Sequence, residues 1–174
     1  GLYKKQRLVP FGEYIPLSGW LSWVLPALQN DPSMSGFSRG AREQKPLEVK
    51  NHHLGAAICY EVAYPSLTRR NARQSDFLVT VSNDAWFTGT AGPWQHLQMV
   101  QMRAKENGRW FIRATNTGVT AFIDHNGHIV KQAPTDQTAV LRGELPAMQG
   151  ETLYMRLSDW PILAFSLLLL ILGW

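Results

Sequence analysis

Phe77-Leu78-Val79-Thr80-Val81-Ser82 is an unbroken run of apolar and β-branched residues ending in a serine. Side chains of a strand alternate between its two faces. A run that is apolar on both belongs to a strand buried on both, as in a parallel sheet. Upstream, Leu47–Ile58 reads as two strands broken near Lys50-Asn51, and Gln6–Pro10 as a short strand or the end of one. Downstream, Pro93–Asn107 predicts a helix, with proline in its first turn and Gly108 just past its end. Trp110–Thr115 and Gly118–Asp124 read as strands joined by an Asn-Thr-Gly turn, and Asp124–Gly127 turns the chain into Ile129–Lys131. Strands alternating with helices early, then hairpins, predict an α/β layered sandwich.

A length of 174 residues suits about one domain. With 45% hydrophobic and 17% charged residues the chain can bury a core, which excludes a disordered tail. The net charge of +4 comes from scattered residues such as Lys4, Arg7, Arg69 and Arg103. No basic run is dense enough for nucleic acid. These residues read as solvated faces, with a modest attraction to anionic lipid headgroups as the next reading. One cysteine, Cys59, excludes a disulfide framework and a multi-cysteine metal site.

Trp160–Trp174 carries no charge and is apolar on every side of a helix. Its fifteen residues fall short of the roughly 20 that cross a bilayer. Because the chain starts at Gly1 rather than Met and stops inside this run, it reads as part of a longer protein, with a membrane helix starting at Trp160. A buried core helix is the competing reading. The expected layout is a catalytic part over 1–150, a linker over 151–159, and the start of a transmembrane helix over 160–174. Leu17–Leu28, with Trp20 and Trp23, suits either core packing or an amphipathic lid on the membrane interface. The terminal apolar run favours the lid.

Cys59 follows the apolar run Leu54–Ile58 and precedes Tyr60-Glu61. A nucleophile just after a buried strand projects into a pocket at a sharp turn, where nearby backbone N–H groups face the same point. Its thiol needs a cation or base to ionise. Lys5 can supply the charge and Glu13 can orient it, although spacing alone makes surface charge the commoner reading. His52, His53, His96, His125 and His128 show no metal-ligand spacing with carboxylates, and His96 reads as a structural hydrogen-bonding residue. Asn83-Asp84 ends the buried strand and suits either a pocket wall or a helix cap.

Tyr3–Glu13 (YKKQRLVPFGE) resembles the lysine motif of the nitrilase, or carbon–nitrogen hydrolase, superfamily, and Ile58-Cys59-Tyr60-Glu61 resembles its cysteine motif. Phe37–Gly40, Ser82–Phe87, Gly92–His96 and Thr115–Gly118 are similar to segments of its apolipoprotein N-acyltransferase branch, as is Trp160-Pro161 ahead of an apolar helix. The resemblance implies a nitrilase-like α-β-β-α sandwich, present in part. It implies Cys59 as nucleophile, Lys5 as triad lysine and Glu13 as second glutamate, with Tyr60 and Glu61 as oxyanion and site support. The triad's first glutamate lies upstream in this family. No acidic residue precedes Lys5 here, so the site is expected to be incomplete. The implied reaction moves an acyl chain from a phospholipid, through a Cys59 thioester, to the N-terminal amine of a diacylated apolipoprotein, with no cofactor. The implied setting is the bacterial inner membrane, with the catalytic part on its periplasmic side. A soluble amidase or hydrolase of C–N bonds is the alternative, and a membrane-tethered binding module with a degenerate site is the reading from another class.

Overall fold

The structure is a computed structural model describing residues 1–14, 16, 37–135 and 137–173. The expected lid over 17–28 lies outside these residues. Six strands form one mixed sheet in chain order: β1 Leu47–Val49, β2 His52–Ile58, β3 Phe77–Ser82, β4 Phe111–Thr115, β5 Ala121–Ile123 and β6 Ile129–Gln132. The pairs β2–β3 and β3–β4 are parallel and the rest antiparallel. Helix α1 (Pro65–Ala72) crosses from β2 to β3, and α2 (Gly92–Asn107) from β3 to β4. Parallel neighbours need such crossovers, whereas the outer strands are joined by short turns. Lys50 takes φ 55° at the first position of the two-residue β1–β2 turn, which suits the right-handed twist of a hairpin. Gly108 closes α2 at φ 56°, as expected from sequence.

Both helices cover one face of the sheet. Register pairs Leu78 with Phe111 and Phe111 with Ile123, and these meet Leu67, Ala72, Leu97, Val100 and Ala104 in a single core. On the other face Val79, Ile112 and Phe122 are half-buried and Val81 is 50% exposed. The expectation that β3 is buried on both faces therefore holds for the helical face only. The expected sandwich is present as one sheet with helices on one side; no second sheet lies among the described residues.

Two further expectations are corrected. Gln6–Pro10 is not a strand: apart from a single bridge between Pro10 and Tyr14 it makes no ladder. Its backbone N–H groups go to carboxylates instead, those of Gln6 and Arg7 to Glu61 and that of Val9 to Glu13. At the other end, α3 (Leu153–Leu157) buries Met155 in the core, and α4 (Trp160–Leu172) follows with no buried residue. No helix among the described residues is long and apolar enough to cross a membrane. The thirteen residues of α4 reach roughly 20 Å at 1.5 Å each, against about 30 Å of hydrocarbon. The expected transmembrane helix is not formed within these residues.

Small residues let α1 press onto β2. A Cβ on Gly55 would stand 2.7 Å from Ser75 Oγ, 2.8 Å from Leu78 Cδ2 and 3.0 Å from the Asn71 carbonyl oxygen. Leu78 is almost fully buried and the carbonyl belongs to α1, so neither yields cheaply. Gly55→Ala is expected to destabilise the fold by about 1–3 kcal/mol, read as a lowered midpoint in denaturant unfolding, although alanine is the better strand residue.

Candidate active site

Cys59 is the first residue after β2 and opens a 3₁₀ turn, Cys59–Ala63. Its φ is +53°. A left-handed conformation costs a non-glycine residue about 1–2 kcal/mol, so the surroundings must hold it there. The sharp turn carries the side chain off the end of the sheet. It also leaves N–H groups at the start of the 3₁₀ turn, including that of Tyr60, without partners inside the turn.

Glu61, two residues on, is fully buried and receives four donors. Oε1 accepts from the Gln6 N–H (2.5 Å) and the Arg7 N–H (3.0 Å), and Oε2 from the Ile58 N–H (2.7 Å) and the Tyr3 hydroxyl (3.1 Å). A buried carboxylate is tolerable only with this degree of satisfaction. Burial first, and then the Glu61 charge, push the Tyr3 hydroxyl above its ordinary pKa, which keeps it a donor. The effect is to fasten the N-terminal segment to the turn that carries Cys59. On that segment Lys5 Nζ lies 2.6 Å from Glu13 Oε1, with both side chains mostly buried, and Glu13 Oε2 accepts from the Val9 N–H.

Glu13, Cys59 and Tyr60 line one pocket of about 550 Å³. The remaining wall is largely apolar, with Val9, Phe11, Trp86, Phe87 and Met99 among its members. Lys5 does not line the pocket itself but is paired with Glu13, which does. Glu61 lies behind the wall. The fold thus gathers four of the five predicted site residues at or beside one cavity and sets the fifth beneath it.

A second buried group was not foreseen as a unit. Asp84 is fully buried at the start of the 3₁₀ turn Asp84–Phe87 that presents Trp86 and Phe87. Its Oδ1 accepts from the Ser82 hydroxyl (2.6 Å) and faces His96 Nδ1 (3.0 Å), and its Oδ2 accepts from Arg113 Nη2 (2.6 Å). Asn83 takes the capping role, accepting from the Ala85 N–H. A Cβ on Gly118 would fall 2.1 Å from Asp84 Oδ2, so only glycine fits there. Arg113 is invisible to motif reading because β4 carries it singly, although a lone arginine inside an apolar strand is itself a signal of a buried partner. His52 and His53 lie near Asp76 at the sheet's far end, and no group of three or more metal-ligating side chains exists among the described residues.

The carbon–nitrogen hydrolase family model matches residues 1–153. The chain is 51% identical over all 174 residues to an apolipoprotein N-acyltransferase of Azotobacter vinelandii, and 50% identical over 171 residues to that of Pseudomonas paraeruginosa. It covers 100% and 98% of itself in these matches but spans about a third of each relative's length, 33% in both. The NitFhit protein of C. elegans superposes with a TM-score of 0.57 over 76% of this chain and 31% of its own, at 22% identity, which carries the fold alone.

Burial works to raise the Asp84 pKa, but the hydrogen bonds from His96 and Ser82 and the Arg113 charge outweigh it and hold the carboxyl below its ordinary value. Because the folded value lies below the unfolded one, the ionised network stabilises the fold above the ordinary carboxylate pKa. That contribution is lost as the pH falls through the folded value. Asp84→Asn strands the buried Arg113 charge and is expected to cost about 3–5 kcal/mol at neutral pH. It should also flatten the acid limb of a melting-temperature profile below the ordinary carboxylate range, where Asp84 gains its proton in the parent. With the sheet's crossover order, the strained Cys59 turn and the family match in agreement, this chain belongs to the carbon–nitrogen hydrolase family.

Proposed function

We propose that this chain is the nucleophile-bearing part of a phospholipid-dependent apolipoprotein N-acyltransferase. The observation that carries the reading is Cys59 at positive φ on the wall of an apolar pocket that also holds Glu13, with Lys5 on that carboxylate. In the first half-reaction Cys59 Sγ attacks the carbonyl carbon of a phospholipid acyl ester. The tetrahedral oxyanion is stabilised by Lys5 and by the Tyr60 N–H at the start of the 3₁₀ turn. Its collapse breaks the ester C–O bond, the leaving oxygen takes up the proton that a base removed from the thiol, and the lysophospholipid departs as the alcohol, leaving a thioester. In the second, the α-amine of a diacylglyceryl-cysteine at an apolipoprotein N-terminus attacks the thioester carbonyl. The C–S bond breaks, an amide forms, the amine's proton passes to a base, and the thiolate is restored. This is covalent catalysis in two easier steps. Glu61 and Tyr3 support the geometry from behind the turn.

Lipid substrates fit the apolar wall, since Val9, Phe11, Trp86, Phe87 and Met99 match an acyl chain better than a small polar amide. The apolar side chains of α4, exposed along its length, fit attachment to a bilayer, with the catalytic part on the periplasmic side of the inner membrane. A soluble amidase is disfavoured, because the relatives near 50% identity are acyltransferases and the hydrolase likeness rests on fold.

The test is mass spectrometry of the full-length protein incubated with phospholipid and no acceptor. A hydroxylamine-sensitive acyl group is expected on the Cys59 peptide. Cys59→Ala should abolish it, and Lys5→Ala should slow it by about 10²-fold or more, with both variants melting like the parent. Lack of any adduct on folded protein, or turnover by Cys59→Ala, would sink the assignment.

A further inference from the structure

The turn that carries Cys59 is held from two sides. Glu61 takes the Ile58 N–H ahead of it. Behind it, His96 Nε2 lies 3.1 Å from the Cys59 carbonyl oxygen. The Cys59 carbonyl and the Asp84 carboxylate can only accept, so Nε2 carries a proton and donates to the carbonyl while Nδ1 carries the second and donates to Asp84, as an imidazolium does. His96 comes from the first turns of α2 and is nearly buried. Its other nitrogen faces Asp84 Oδ1, and Asp84 in turn is fixed by Arg113 Nη2. Arg113 is anchored independently through Nε to the Val119 carbonyl (3.0 Å). The chain of contacts runs from β4 through Arg113, Asp84 and His96 to the backbone of the nucleophile. Every member but the cysteine is buried, so water competes weakly for these bonds.

A salt-bridged core could be stable without touching the nucleophile. Here the histidine spends its outward proton on the one residue of the turn that is in a strained conformation. We propose that His96, oriented by Asp84 and Arg113, is a positioning residue that holds Cys59 in its left-handed conformation and so keeps Sγ at the pocket wall. This rests on the reading of Cys59 as the acyl-accepting nucleophile. Since a displacement of about 1 Å can cost about 10²-fold in rate, the consequence is kinetic rather than structural.

The experiment compares His96→Leu, which keeps volume without a donor, with His96→Gln, whose amide N–H can reach the Nε2 position. The full-length protein is mixed with phosphatidylethanolamine vesicles, and single-turnover acylation and the iodoacetamide alkylation rate of Cys59 are followed. His96→Leu is expected to lower the acylation rate by about 10²-fold, with KM for phospholipid near the parent's and alkylation slowed. His96→Gln is expected to recover most of both. The proposal is overturned if His96→Leu melts like the parent and acylates at close to its rate, or if His96→Gln is no better than His96→Leu. Should neither variant fold, ¹⁵N-histidine spectra of the unmutated protein decide: a protonated, hydrogen-bonded Nε2 on His96 is expected, and a bare one overturns the proposal. Cys59→Ala separates the two failures. Residual acylation there defeats the nucleophile reading, whereas a dead Cys59→Ala beside a normal His96→Leu defeats only the role given to His96.

Discussion

A single buried carboxylate joins the two halves of the site. Glu61 draws the backbone of Gln6 and Arg7, the hydroxyl of Tyr3 and the amide of Ile58 onto its two oxygens. The partners lie up to 58 residues away in the chain. Without that charge the N-terminal segment would have three unmet donors and no sheet edge to pair with, and the Lys5–Glu13 pair would have no fixed distance from Cys59. Hydrogen bonds to a charged group are worth roughly twice neutral ones. They are directional where apolar packing is not, so the carboxylate specifies register as well as proximity.

The site is divided by polarity. Outward, the wall is apolar and partly exposed, with Trp86 at 72% and Phe11 at 68%. Inward lie Glu61 on one side of the turn and Asp84, His96 and Arg113 on the other, all closed to solvent. Cys59 sits on the boundary. Under the proposed reading, an acyl chain is received by dispersion and exclusion of water while the reacting carbonyl meets oriented dipoles and charges behind it. The sheet order makes this possible. Parallel β2, β3 and β4 end at the same level, and the turns that follow them carry Cys59, Asp84 and Asn116. Functional groups gather at the carboxyl ends of parallel strands for that reason.

Misreadings of the sequence have physical causes. Gln6–Pro10 reads as a short strand through its apolar Leu8-Val9, yet its amides are taken by side-chain carboxylates, a competition that residue type cannot register. Val81 has the residue type of a core strand and stands half exposed, because residue type reports a preference for burial and not whether a covering layer is present. His96 is the hydrogen-bonding residue that its sequence suggests, but nothing in Trp-Gln-His reveals that one partner is the carbonyl of Cys59.

What the sequence determined by itself was local. The extent of β3, the strand break at Lys50-Asn51, the proline start and glycine stop of α2, and the lysine and cysteine motifs all follow from neighbours a few residues apart. Steric limits on φ and ψ, side-chain period and capping act at that range. The tertiary structure alone decided which charges meet. Glu61 with the amides of residues 6 and 7, and Asp84 with His96 and Arg113, are separations of 12 to 55 residues with no fixed spacing. Such contacts exist only once α1 and α2 have packed onto the sheet and shut out the water that would otherwise solvate each group alone.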